Sequence, residues 1–219
     1  MELRERIIKE TFNLLVSKSY KALTMDEIAQ NLGISKRTLY EQFPDKDDLL
    51  ISCLKSYLDC HIEHCKQIVQ QDKDPMTKFL EFISETIDIM STIGYERVTE
   101  LQKYNLVIFT TIFVPFFEQK RKYSLLLLNE AKKEGFVVEL MDIDFVINMI
   151  KENMFLVNIN HYFSDSHYSP IDLACAHIYI IIRGICTTKG LALTDQYIEE
   201  YAKAKHINLH RRIQTQENK

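Results

Sequence analysis

Residues 24–50, TMDEIAQNLGISKRTLYEQFPDKDDLL, constrain the fold of this chain more than any other stretch. They read as two short helices joined by a tight turn, with a third helix starting just after. Thr24 is placed to cap the first helix, and Glu27 at its third position completes a capping box. Ile28, Ala29 and Leu32 form the apolar stripe of that helix. Gly33 follows where the chain must turn, and a positive φ is expected there. Ser35 is placed to cap the second helix, whose exposed side carries Lys36, Arg37, Thr38 and Tyr40. Leu39 and Phe43, spaced i, i+4, face inward and hold its angle. Pro44 stops it, and Asp45 caps the next helix. Two short helices with a glycine turn make a helix-turn-helix unit, whose second helix is built to enter a DNA major groove.

The residue types suit that task. Lys36 and Arg37 can donate to phosphates or to guanine O6 and N7. Thr38 and Tyr40 offer hydroxyls for phosphate contact. Lys46 adds a positive charge to a helix N-terminus that already favours anions, and Thr24 sits at another such end. The expected DNA-binding set is therefore Thr24, Ser35, Lys36, Arg37, Thr38, Tyr40 and Lys46. A glycine between two short helices also occurs in ordinary helical proteins, so the spacing alone does not decide the matter.

The residues around the turn do decide it. Ile28-Ala29, Leu32-Gly33, Ser35, Thr38-Leu39-Tyr40, Phe43, Lys46 and Leu49-Leu50 fall in the pattern "IA..LG.S..TLY..F..K..LL". That pattern closely resembles the signature of the TetR family of bacterial regulators. The resemblance covers roughly the first fifty residues; beyond them only length and helical layout agree. One departure is Ser19-Tyr20, where the family often has a glycine before the aromatic residue, which suggests a slightly different turn. The resemblance implies an all-α fold with an N-terminal three-helix DNA-binding domain over residues 1–50. A helical domain over 51–219 would bind an effector and dimerise, in about nine to ten helices overall.

Charge narrows the mechanism. The 219 residues carry a net charge of −4, and residues 1–50 hold 8 Lys+Arg against 9 Asp+Glu. This is not the balance of a generic nucleic-acid binder. DNA affinity must come from local placement of Lys36, Arg37 and Lys46, with Asp26 and Glu41 turned elsewhere, and from dimeric binding. The five cysteines are odd in number and form no C-x-x-C pair, which fits a reducing bacterial cytoplasm. The N-terminus reads as a charged amphipathic helix rather than a signal peptide, and no apolar run is long enough to span a bilayer.

Apolar periodicity predicts a first helix over Leu3–Ser17, a fourth over Lys46–Gln70 and a fifth starting at Pro75. A short helix over Tyr95–Tyr104 follows Gly94. A long apolar helix then ends near Gly135, with Pro115 marking either a kink or a junction. Asp142 is expected to cap a helix reaching about residue 163. Ser169-Pro170 starts another that ends at Lys189-Gly190, and Thr194 caps the last.

Two late helices are nearly apolar all round, as befits helices buried on more than one side. Phe145, Met149 and Leu156 on one, with Ile178, Ile182 and Ile185 on the other, are the expected dimer interface. The resemblance implies a four-helix bundle with the partner there. Aromatics crowd residues 95–117. Tyr95, Tyr104, Phe109, Phe113 and Phe116, facing Asn153, Met154, Asn158 and Tyr162, are the expected effector site for a small, largely apolar molecule. The same stripe also suits a plain core.

Cys60, His61, His64 and Cys65 offer i, i+4 pairs that suit a soft metal or redox chemistry. The pairs point roughly 100° apart on one helix, so they cannot close around one ion. No cofactor or metal is expected. No nucleophile elbow, zinc-protease motif or phosphate-binding loop is present, which argues against an enzyme. The function expected is a DNA-binding regulator, a repressor released from an inverted-repeat operator by its effector. A metal- or redox-responsive regulator and a non-catalytic interaction protein on the same fold are the alternatives.

Overall fold

The computed structural model describes residues 2–156 and 169–207, the side chains of 154–156 and 170 excepted. Among these the backbone is helical, apart from turns and one isolated antiparallel bridge between Val137 and Cys186. The helices are α1 Leu3–Ser17, α2 Met25–Leu32, α3 Lys36–Gln42, α4 Lys46–Gln70, α5 Pro75–Ile93, α6 Tyr95–Tyr104, α7 Leu106–Ile108, α8 Val114–Lys133, α9 Ile143–Leu156, α10 Pro170–Ile185 and α11 Thr188–Lys205. No described helix is long and apolar enough to cross a membrane.

The chain forms two compact units. The first comprises Met1–Asp72 and Asp88–Ser124, the second Lys73–Ile87 and Leu125–Lys219. The boundary expected at residue 50 falls inside α4, which runs unbroken to Gln70.

In the first unit, α1 packs along α4 and grips α2 at both ends. Arg6 donates to the Leu32 carbonyl at the end of α2 (2.8 Å), and Lys18 pairs with Glu27 at its start. The Cys53 thiol of α4 donates to the Ile8 carbonyl, and Phe12 stacks on Tyr57 at 4.4 Å. Leu39 and Phe43 are fully buried, and Arg4 of α1 lies over the Phe43 ring at 4.2 Å. Each large apolar side chain buried in this way contributes about 1.5–3 kcal/mol.

Pro115 is accommodated by a π-helical turn over Phe109–Phe113 between α7 and α8. A proline has no N–H to donate back into the preceding turn, and widening that turn accommodates the lost bond.

In the second unit, α9 packs on α10, and α10 on α11. The Tyr179 hydroxyl and Arg183 of α10 both bond Asp195 of α11. Two helix limits differ from expectation. The helix starting at Pro170 ends at Ile185, and Lys189-Gly190 lie in the first turn of α11. Thr187, not Thr194, caps α11, its hydroxyl accepting from the Gly190 N–H; Thr194 is buried in mid-helix. The reason is tertiary. The segment after Gly135 runs beside 185–190, with Val138 N–H donating to the Ile185 carbonyl and Thr187 N–H to the Phe136 carbonyl. Gly190 is needed for close approach, not as a stop signal: a Cβ there would lie 2.1 Å from the Phe136 carbonyl oxygen.

Gly190→Ala should therefore destabilise the protein by about 1–3 kcal/mol or more through overpacking. Gly33→Ala, which meets no atom but is held at φ +65°, should cost about 1–2 kcal/mol through backbone strain alone. Urea unfolding midpoints compare the two; a neutral Gly190→Ala would contradict the packing described.

Candidate DNA-reading head and its connection to the body

The turn between α2 and α3 forms as its residues dictate. Gly33 adopts the left-handed conformation (φ 65°, ψ 32°), and the Ile34 N–H reaches back to the Ala29 carbonyl. The Thr24 hydroxyl accepts from the Glu27 N–H (3.2 Å), but the Glu27 carboxylate turns to Lys18 instead of closing the capping box. A salt bridge to α1 replaces the second cap. The Ser35 hydroxyl accepts from the Thr38 N–H (3.0 Å) and lies 2.8 Å from the Thr38 hydroxyl, so Thr38 is drawn into the cap. Asp45 caps α4 through the Asp48 N–H (2.8 Å).

The exposed side of α3 carries the expected donors. Lys36, Arg37 and Tyr40 are all exposed. Both cations are engaged within the chain: Lys36 with Asp26 at 2.7 Å and Arg37 with Glu41 at 2.9 Å. The hydrogen bond and charge of Asp26 raise the Lys36 ammonium above the usual lysine pKa. Asp26 and Glu41 thus sit beside the two exposed cations of α3 rather than turned away from them. Such solvated pairs are weak and open readily for phosphates.

Lys46 does not extend from the N-terminus of α4. It donates to the Tyr20 carbonyl (3.0 Å) and lies over the Tyr20 ring. Tyr20, which follows the Ser19 departure from the TetR pattern, is the centre of a partly buried polar junction. Its hydroxyl donates to Asp47 (3.0 Å) and accepts from the Asn105 amide (2.8 Å). Asn105 also donates to Asp47 (2.7 Å), and its carbonyl accepts the Ile108 N–H (3.0 Å) at the start of α7. The Tyr20 N–H donates to Glu100 of α6 (3.0 Å). Burial, followed by the opposing effects of Asn105 and Asp47, raises the Tyr20 phenol above its ordinary pKa, so it stays protonated as a donor at neutral pH. One amide thereby ties the α1–α2 turn and the start of α4 to the segment leading into the π turn. Sequence pattern gave no sign of this junction, because Tyr20, Asp47 and Asn105 share no motif.

The residues expected to bind an effector divide between the units. Tyr95, Phe113 and Phe116 are buried in the first unit, Phe109 is half-buried, and Tyr104 is 47% exposed. Phe109, Phe113 and Phe117 stack in series, with centroids 5.9 and 6.2 Å apart. Asn153 belongs to the second unit and donates to the Met149 carbonyl. Asn158, Tyr162 and the side chain of Met154 lie outside the described residues. A small apolar crevice that the sequence did not indicate lies in the second unit, with room for no more than about one water. Leu80, Ile83, Ile178 and Ile182 line it, with Ser84 and Tyr201 among its polar members.

The expected interface residues separate in the same way. Phe145 (63% exposed) and Met149 stand on the surface of α9, whereas Ile178, Ile182 and Ile185 are buried within the protomer. Ile180, at 66% exposure, is the apolar residue that α10 presents to the outside. The side chain of Leu156 lies outside the described residues. On α4, Cys60 is exposed and Cys65 buried, so the thiols face opposite environments. Among the described residues, no group of three or more His, Cys, Asp or Glu side chains is placed to hold a metal ion.

A left-handed glycine turn, a recognition helix with exposed Lys36, Arg37 and Tyr40, and an all-helical body define a helix-turn-helix transcription regulator. Residues 7–53 match the sequence model for bacterial regulatory proteins of the tetR family. The HTH-type transcriptional regulator YvaF of Bacillus subtilis is 29% identical over 135 residues, 59% of this chain and 68% of that protein. The HTH-type transcriptional repressor KstR2 of Mycolicibacterium smegmatis is 20% identical over 196 residues, covering 85% of this chain and 92% of its own. Bacillus subtilis FadR, solved with stearoyl-CoA, shares the fold with a TM-score of 0.64 at 20% identity, over 83% of this chain and 98% of that one. Residues 7–53 thus carry the DNA-binding segment of the tetR family of bacterial regulatory proteins.

Asn105→Ala should leave Asp47 and the Tyr20 hydroxyl short of a donor and cost about 1–3 kcal/mol. Urea denaturation of the purified protein measures it, and an unchanged midpoint would remove the junction from the account.

Proposed function

We propose that this chain is a repressor that binds an inverted-repeat operator as a homodimer and is released by a largely apolar effector. The observation that carries the reading is α3. It is held from beneath by buried Leu39 and Phe43, and it presents Lys36, Arg37 and Tyr40 outward. Residues 1–50 form the DNA-reading part and 51–219 the effector and dimer part, with Thr24, Ser35 and Thr38 supporting phosphate contacts and Lys46 adding another once it exchanges the Tyr20 carbonyl for a phosphate. DNA binding exchanges the Asp26 and Glu41 carboxylates for phosphates and base edges. The relatives are transcription regulators, which supports a non-enzymatic role, and a reader of bacterial DNA works in the cytoplasm.

Dimerisation is supported by the exposed apolar residues Phe145 and Met149 on α9 and Ile180 on α10, beside the small exposed Gly184. These, rather than the buried Ile178, Ile182 and Ile185, face a second copy. An apolar effector is supported by the stacked Phe109–Phe113–Phe117 series and by the stearoyl-CoA bound to a neighbour of the same fold. Release follows from population shift. An effector that prefers a different register of the π turn pulls on Asn105, and through it on Asp47 at the start of α4. The two heads then lose the half-site spacing.

Fluorescence anisotropy with the chain's own upstream DNA tests the reading. Arg37→Ala and Tyr40→Ala should each weaken binding by about 1–3 kcal/mol, roughly five- to 150-fold. Phe145→Asp with Ile180→Asp should give a monomer by sedimentation that no longer holds the operator. Wild-type affinity in both α3 variants would refute the assigned head.

A further inference from the structure

A second cationic feature lies outside α3. Lys21, in the turn between α1 and α2, places its ammonium 3.5 Å from the centre of the Tyr104 ring. Lys103 of α6 places its own 5.1 Å from the same ring. All three side chains are exposed. The cations closest to the helix-turn-helix unit are neutralised or tied down: Lys18, Lys36 and Arg37 by carboxylates, Arg6 by the Leu32 carbonyl, and Lys46 by Tyr20. Among the described residues, neither Lys21 nor Lys103 has a carboxylate partner. The acidic groups nearby in sequence and structure are engaged inward, Glu100 by the Tyr20 N–H and Asp47 by Tyr20 and Asn105. Two like charges gathered on one ring, with no counter-charge, make a local positive potential that an anion relieves.

The position of the cluster says which anion. Lys21 is three residues from Thr24, the cap of α2, and follows Tyr20, whose carbonyl holds Lys46 at the first turn of α4. The cluster therefore adjoins the starts of α2 and α4, the two ends at which this head offers N–H groups to phosphates. A duplex laid on α3 continues past those ends, and its backbone is the extended polyanion that repeated lysines recognise.

We propose that Lys21 and Lys103, brought together across Tyr104, form a second phosphate-contact site for the DNA backbone, outside the helix-turn-helix unit. It rests on the DNA-reading function above. It also makes α6 a DNA-contacting element, so a shift of the Asn105 junction acts on DNA directly as well as through α4. Tyr104, expected from the sequence to face an effector, instead serves as the platform of this site, with its hydroxyl available to donate to a phosphate.

The test is anisotropy over a salt series with the upstream duplex and an unrelated duplex, on wild type, K21Q/K103Q and K21R/K103R. Each lost phosphate contact lowers the slope of log affinity against log salt by about 0.9. The glutamine pair should lower it by roughly 2–4 for a dimer on both duplexes, with affinity reduced at least about tenfold. The arginine pair should keep the slope, and thermal melting should show both variants folded. An unchanged slope in the glutamine pair, a loss confined to the upstream duplex, or an equal loss in the arginine pair would overturn the site and leave the function standing. Failure of wild type to bind either duplex would overturn both.

Discussion

The head of this protein depends on α1. The recognition helix has seven residues, far too few to be stable alone in water. Its geometry is borrowed. Arg4 of α1 covers Phe43 at the far end of α3, while Arg6 and Lys18 hold the two ends of α2. Phe12 and the Ile8 carbonyl fix α1 to Tyr57 and Cys53 of α4. The buried Cys53 thiol, pushed up to about 12 by burial, stays protonated as a donor in that contact. With α1 in place, the left-handed turn at Gly33 has one outcome, and Leu39 and Phe43 have one direction in which to point.

The electrostatics follow a different logic from the packing. An acidic chain that reads DNA cannot rely on bulk attraction, and residues 1–50 carry no excess of positive charge. In the free protein the exposed cations Lys36 and Arg37 rest against Asp26 and Glu41. Solvated pairs of this kind contribute little stability and cost little to open. They favour sites where several contacts form together over stray phosphates met singly. The polar junction of Tyr20, Asp47 and Asn105 is the opposite case. It is partly withdrawn from water and directly joins the head to the segment that leads into the π turn.

Local rules made the head legible in the sequence. Thr24, Gly33, Ser35 and Asp45 each do what their caps and turns require, and the limits of α1 and α4 follow apolar spacing. Sequence pattern misleads where a residue's role is set by contacts distant in the chain. Gly190 looked like a helix stop, yet it is small because the Phe136 carbonyl passes beside it. Glu27 looked like half of a capping box, yet Lys18 takes its carboxylate. Ile178 and Ile182 lie on an apolar stripe that periodicity alone cannot assign to core or interface; within the protomer they face α5 and α11. Tyr20, Asp47 and Asn105 lie too far apart in the chain for any pattern to join them.

The most direct measurement of the central claim is footprinting of the chain's upstream DNA with the full-length protein. The account predicts two protected half-sites related by two-fold symmetry, about one helical turn or a small multiple of it apart, with protection lost in Arg37→Ala. Absence of protection at any protein concentration, or a footprint unaffected by Arg37→Ala, would contradict it.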